Sequence, residues 1–408
     1  MPVTADTGHA RRDLRIIGFV SAGHFTSHFF QLTLPAVFPL LRGQFRVSYL
    51  ALGFIVTVFY AASGVGQTIS GFLVDRLGAR RILLTGFTLY ATAMALAGTS
   101  VSYWMLVAIA PFAGLGNSVF HPADYAIFND VVDRRRLGRA YSVHSVLGNL
   151  GWVAAPIVIV GLSALVGWRM AVTGAGVAGL GVALVLAWQT RGLAGHRAPR
   201  TAPASPGSDL LSDLRVLMIA PVLLAFAYFA LLSTAYVGIQ TFGVSALVSI
   251  YGAPLSLATS ALTGFLLGST VGTLAGGFLA DRTQRHGLVA GVGMLPCVAL
   301  TLAVAGGGLP LGAIAAALGL VGFFLGVTQP SRDMLVRDAT PRGASGKVFG
   351  FVYSGLDLGS ALTPPALGWV MDRGEPRAVF LAIAGFMVVT LVTVLEVRRR
   401  SAPVAAPA

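Results

Sequence analysis

One cysteine, Cys297, occurs in 408 residues. An intrachain disulfide is therefore excluded, as is any metal site built from thiolates, and the natural role for this thiol is packing. Charge is scarce too, at 11% of the sequence, with Lys347 the only lysine. No G-x-x-x-x-G-K-S/T phosphate loop is present, which removes ATP-driven machinery. Neither a nucleophile motif nor a soluble catalytic stretch stands out, so an enzyme is not expected, and no cofactor is implied. What the chain lacks most is polar surface. Hydrophobic residues make up 55% and the mean hydropathy is +0.79, values that describe a polytopic membrane protein.

Twelve apolar runs of roughly 20 residues recur along the chain, each long enough for a hydrocarbon core of about 30 Å. They read as helices, because an open strand would leave its backbone unpaired in lipid. The first run extends from Leu14 to Leu41 and the fourth from Tyr103 to Phe128; the fifth and sixth are Ala140 to Val166 and Met170 to Thr190. The first run continues past the length of a signal peptide and carries His24, His28 and Pro35, so it is not read as one. A net charge of +13 invites a nucleic-acid reading, but the cations follow membrane topology. With the N-terminus inside, every Lys and Arg except Arg42, Arg46, Arg169, Arg373 and Arg377 lies on the cytoplasmic side. Both termini are then cytoplasmic, in a cell inner membrane, with lipid and not nucleic acid as the macroscopic partner.

The two halves echo each other. In one frame Pro122 pairs with Pro330, Asp130 with Asp338, Gly151 with Gly359, Pro156 with Pro364 and Arg169 with Arg377. Self-similarity over half the chain means two copies of one multi-helix unit. The Pro-, Ala- and Ser-rich stretch around Arg191 to Asp213 reads as a flexible linker. The expected organisation is an all-α membrane protein with two parallel six-helix repeats, 1–190 and 216–408, joined by a cytoplasmic linker, 191–215. Many of the 51 glycines fall inside helices, including Gly64 and Gly66, Gly148 and Gly151, Gly264 and Gly268, and Gly272, Gly276 and Gly277. They are expected to let helices approach closely where lipid offers no hydrophobic drive.

GFLVDRLGARR, Gly71 to Arg81, returns in degenerate form as GFLADR at Gly277 to Arg282. With the helix number and central linker, this repeated motif resembles the major facilitator superfamily over nearly the whole chain. The resemblance implies that Gly71, Asp75, Arg76, Gly78 and Arg80, with Asp281 and Arg282, form a conformational motif that latches the halves. Gly71 is expected to permit close contact there. More narrowly, Gly23, His24, Leu34, Pro35 and Ala36 in helix one and Phe120, His121 and Pro122 in helix four resemble the branch containing the fosmidomycin-resistance exporters. Helix four lacks the buried arginine of many drug/proton antiporters, and GNLGWVAAP, Gly148 to Pro156, is only a loose version of their Gly-Pro-rich motif.

Polar side chains at membrane depth cost about 2 to 3 kcal/mol on the mild insertion scale, so they should face a cavity or each other. His24, His28 and Gln31 share a helix face by i, i+4, i+7 spacing, lining a cavity or bonding between helices. Asn117, His121 and Asp124 repeat that spacing in helix four, where Pro122 is expected to kink it; gating and substrate contact are both open. Tyr141, His144 and Gly148 share a face in helix five. Asp357 is the one carboxylate placed near a helix centre, which makes it the leading coupling site, with Asp124 and His144 as further candidates. Asp357 hydrogen-bonded to Tyr353 is the bland alternative. In the second half Tyr236, Gln240, Gln329, Arg332 and Tyr353 are candidate substrate contacts, with Arg332 able to point inward and bind an anion, to snorkel or to pair with Asp333. The leading expectation is a monomeric secondary transporter of a small organic solute, an organic anion or drug-like molecule, working by alternating access with proton coupling. A metal ion or metal chelate carried by His24 and His28 is the alternative. A membrane enzyme or non-transporting receptor ranks below both.

Overall fold

The computed structural model describes residues 4–133, 136–193, 215, 217–283, 285–339 and 345–401, and the expected linker lies almost wholly outside them. The protein is built from helices, and no strand occurs among the described residues. They cluster into two units, one formed by the chain up to Val47 and by Phe54–Pro203, the other by Ser48–Gly53 and the chain from Ala204 on.

The first unit begins with α1 (Thr4–Ala36), which ends beside Pro35 and hands over to α2 (Phe38–Phe45) through the non-helical Val37. Next come α3 (Tyr49–Leu77) and α4 (Ala79–Gly98). The fourth run is two helices, α5 (Tyr103–Asn117) and α6 (Phe120–Val131), broken at Ser118 and Val119. Pro122 explains the break: it lacks an N–H, and its ring crowds the carbonyl four residues back, that of Ser118. The fifth and sixth runs form α7 (Leu137–Gln189), interrupted at Gly167, where φ is 80°. Only glycine adopts that conformation at no steric cost, and it makes two crossings of one long helix.

The second unit comprises α8 (Ala220–Tyr251), α9 (Leu255–Arg282), α10 (His286–Gly306), α11 (Leu311–Ala339), α12 (Ser345–Asp372) and α13 (Pro376–Ser401). Counting α1 with α2, α5 with α6, and α7 twice gives twelve spans, as the apolar runs predict. Nine stretches among the described residues meet the length and hydropathy of a membrane crossing taken one by one, and Ala140–Gln189 alone runs for 50 residues.

Packing within each unit follows one pattern. α1 lies along α7 and α4 packs on the second part of α7; in the other unit α8 lies along α12 and α10 packs on α13. Glycine sets the closest approaches. On α9, Gly264, Gly268, Gly272 and Gly276 recur every four residues and face the α11 backbone at Ala315, Gly319, Phe323 and Val327, so close that a Cβ would meet a carbonyl oxygen. Gly71 and Gly277 behave otherwise: among the described residues nothing lies within 4 Å of a Cβ built on either, so no close contact of the expected kind is seen there. Large apolar side chains such as Leu165, Leu184, Trp104 and Phe278 stand exposed, as suits a lipid solvent.

Candidate functional site

Inside the first unit, three helices bring four histidines and one carboxylate together. α1 supplies His24 and His28, α6 supplies His121 and Asp124, and α7 supplies His144. Their approach depends on Gly148 and Gly151 of α7. A Cβ on Gly148 would lie 2.6 Å from His24 Cδ2 and 3.0 Å from His28 Cε1, while Gly151 faces the carbonyl of Phe25. The His24 ring stacks on His144 with centroids 3.8 Å apart and lies 4.2 Å from His28 and 5.1 Å from His121.

Asp124 is fully buried on this cluster. Its Oδ2 is 3.9 Å from His24 Nδ1 and 3.7 Å from His144 Nε2, and neither carboxylate oxygen has a hydrogen bond among the described residues. His24 Nδ1, His28 Nδ1 and both His144 nitrogens are likewise buried without hydrogen-bond partners among the described residues. Leaving one such atom unsatisfied costs about 1 to 3 kcal/mol. This concentration of unmet bonding capacity sets the cluster apart from ordinary packing. His121 is its one exposed member.

A hydrogen-bonded chain runs beside it. Trp152 Nε1 donates to Gln31 Oε1 at 2.9 Å, Gln31 Nε2 to Asn117 Oδ1 at 3.0 Å, and Asn117 Nδ2 to Ser63 Oγ at 2.9 Å. Trp152 also stacks on His28 at 4.1 Å and 8°, which joins the chain to the imidazoles. Gln31 and Asn117 therefore bond between helices. Gln31 also lines an apolar pocket of this unit with Phe30, Phe59, Tyr60, Tyr90 and Met94. Trp152, Ser63 and Gly148 are the members that sequence reasoning did not single out as site residues. The signal for Trp152 was its place one turn beyond Gly148 on the face that carries His144.

In the second unit, Tyr236 donates to Ser269 Oγ at 2.7 Å and Gln329 Nε2 donates to the same oxygen at 3.5 Å. Arg332 neither snorkels nor reaches solvent: it is buried, with its guanidinium 4.4 Å from the Phe229 ring centre, an attraction between cation and ring face. The Asp333 side chain lies outside the described residues. Tyr353 packs on the same Phe229 at 5.0 Å. Gln240, one turn beyond Tyr236 on α8, is buried, and its amide nitrogen has no hydrogen-bond partner among the described residues. Asp357 is half-buried on α12 and forms no hydrogen bond or ion pair among the described residues, so the alternative of a bond to Tyr353 is not among its contacts there.

Of the motif residues, Gly78 takes φ 92° and starts α4. Arg80 donates to Thr190 Oγ1 at 3.1 Å and to the Ala187 carbonyl at 2.8 Å, capping the last turn of α7 within its own unit. Arg76 and Arg282 are exposed, and the side chains of Asp75 and Asp281 lie outside the described residues.

Twelve apolar spans in two units, each with polar side chains turned inward, define a polytopic membrane transporter. Residues 20–260 and 238–408 match the Major Facilitator Superfamily, and the chain belongs to that family. It is a multi-pass membrane transporter of small solutes, and the family is not one of enzymes. The fosmidomycin resistance protein of Escherichia coli (strain K12) is 25% identical over 397 residues, covering 96% of this chain and 94% of that protein. The membrane sensor protein UhpC of Salmonella typhimurium is 25% identical over 388 residues, covering 89% of this chain and 86% of the sensor. Two solved structures share the fold, each with a TM-score of 0.77: a bacterial homologue of the human lysosomal transporter Spinster, at 16% identity over 97% of this chain and 99% of that one, and the nucleoside transporter NupG, at 14% over 95% and 99%.

Proposed function

We propose that the chain is a secondary active transporter that moves a small organic solute, an organic anion or drug-like molecule, across the cell inner membrane by alternating access coupled to protons. In this reading it works as a monomer with both termini cytoplasmic, and 1–190 and 216–408 are its two moving halves joined by 191–215. The observation that carries the coupling is Asp357, a half-buried carboxylate on a membrane-spanning helix with no hydrogen-bond or ion-pair partner among the described residues. An ionisable group kept at that depth without a structural bond is a functional group by default. The resemblance to a fosmidomycin resistance protein favours a drug-like cargo. Gln329 beside Ser269, with Arg332 beside Phe229, offers the N–H donors an anionic solute would need, while Tyr236 donates to Ser269.

Proteoliposomes with an imposed pH gradient, loaded in turn with organic anions and phosphonates, test this reading. Asp357→Asn is expected to lower gradient-driven transport by about a hundredfold, the scale of losing a proton-transfer group, while solute binding persists. Undiminished pH-driven transport in that variant would remove Asp357 from the mechanism.

A further inference from the structure

We propose that His24, His28 and His121 form a binding site for one divalent transition-metal ion of the zinc class, with Asp124 as the carboxylate behind it. The claim goes beyond proton coupling and does not depend on it. Among the described residues, two sets of side chains bring possible ligand atoms within 4.8 Å of one another: His24, His28 and His121, and His24, Asp124 and His144. Ring orientation decides between them. His24 and His144 are stacked at 17°, so their in-plane lone pairs run side by side and cannot meet at one ion. The other three rings are mutually inclined, at 51° for His24 and His28, 64° for His24 and His121, and 70° for His28 and His121, so their lone pairs can converge from three directions.

Three imidazoles around a tetrahedral ion, with nitrogen about 2.0 to 2.1 Å from the metal, leave a fourth position open for water or solute. Neutral imidazole suits zinc, nickel and cobalt, and no thiolate is needed. His121, exposed and furthest from His28 at 6.5 Å between ring centres, supplies both the way in and the one ring with space to close on the ion.

Asp124 completes the chemistry. A metal-bound histidine characteristically donates its other N–H to a carboxylate, which fixes the tautomer and raises ligand basicity. His24 Nδ1 lies 3.9 Å from Asp124 Oδ2, and both atoms are buried and lack hydrogen bonds among the described residues. With metal on Nε2, the proton sits on Nδ1 and faces that oxygen. The dication one ring away also supplies positive charge to a buried carboxylate whose ion-pair neighbours among the described residues are only imidazoles. His144, 3.7 Å from the same oxygen, then acts as a second positioning residue and not as a ligand.

Protein purified without a polyhistidine tag and titrated with Co2+ tests the site. One Co2+ per chain is expected, with the visible absorption of a low-coordinate cobalt centre, displaced by Zn2+, and with quenching of Trp152, which stacks on His28. His28→Gln and His121→Gln are each expected to weaken Co2+ binding at least about tenfold, and Asp124→Asn by about 10- to 100-fold with the stoichiometry kept. His121 is exposed, so its variant keeps the fold and the measurement stays interpretable. Asp357→Asn is expected to bind Co2+ like wild type, which separates this site from the coupling reading. Absence of saturable Co2+ binding, or wild-type affinity in both histidine variants, would overturn the assignment.

Discussion

A methyl group at position 148 would sit 2.6 Å from one imidazole and 3.0 Å from another, so Gly148 controls the geometry of the cluster, and its backbone also hydrogen-bonds His28. Gly148→Ala is expected to cost about 1 to 3 kcal/mol, the range for overpacking a closely fitted interior. The variant should melt earlier in detergent and bind Co2+ more weakly, because His24 and His28 must move; unchanged melting and affinity would show that the rings yield freely. The shared faces of the site were legible from helical spacing alone: His24 with Gln31, His121 with Asp124, His144 with Gly148. Which faces meet was not. Asp124 meets His24 from a position 100 residues further along the chain, and nothing local in the sequence specifies that Nδ1 approaches Oδ2. Arg332 shows the same limit. Its depth near a helix end suggested snorkelling, while its resting place over Phe229 depends on α8 lying beside α11.

At the scale of elements, four glycines at every fourth position of α9 make one continuous seam against α11. Lipid tails are as apolar as leucine, so close backbone approach and van der Waals contact hold such helices together. Gly268→Leu would drive a side chain into the Gly319 carbonyl, and the expected result is a loss of at least about 3 kcal/mol, read as collapse of the monodisperse peak and of the melting transition. Gly161→Ala is the control: its Cβ meets nothing within 4 Å, so its melting should match wild type or rise slightly. Equal behaviour of the two variants would remove the seam from the stability argument. Close packing at most of these glycines follows from their spacing, but Gly71 and Gly277 show that a glycine in a recurring motif need not touch a neighbouring helix. Pro122 was readable as an interruption because it acts on its own backbone, by crowding the Ser118 carbonyl, whereas Gly167 and its positive φ were not singled out.

For the whole molecule, the duplication visible in the sequence reappears as matched contacts. Arg169 donates to the Ser100 carbonyl just beyond α4, and its repeat partner Arg377 lies against Gly307 just beyond α10. A duplicated bundle of this kind suits alternating access, and the chain's lone thiol makes that mechanism measurable. Cys297 is fully buried, with its Sγ donating to the Gly293 carbonyl at 3.2 Å, so a membrane-impermeant maleimide should leave the native protein unlabelled. Tyr353 is 37% exposed on the helix that carries Asp357, one turn away from it, and Tyr353→Cys places a single reactive thiol there. In proteoliposomes, a carrier that opens first to one side and then to the other should expose this thiol to the outer reagent in only part of its cycle. The labelling rate is therefore expected to differ several-fold between the two polarities of an imposed pH gradient, because protonation biases which opening is populated. In the Tyr353→Cys, Asp357→Asn double variant that difference should vanish while labelling itself continues. Equal rates under both polarities in the single variant would mean that the gradient does not select a conformation, and proton-coupled alternating access would fail for this chain.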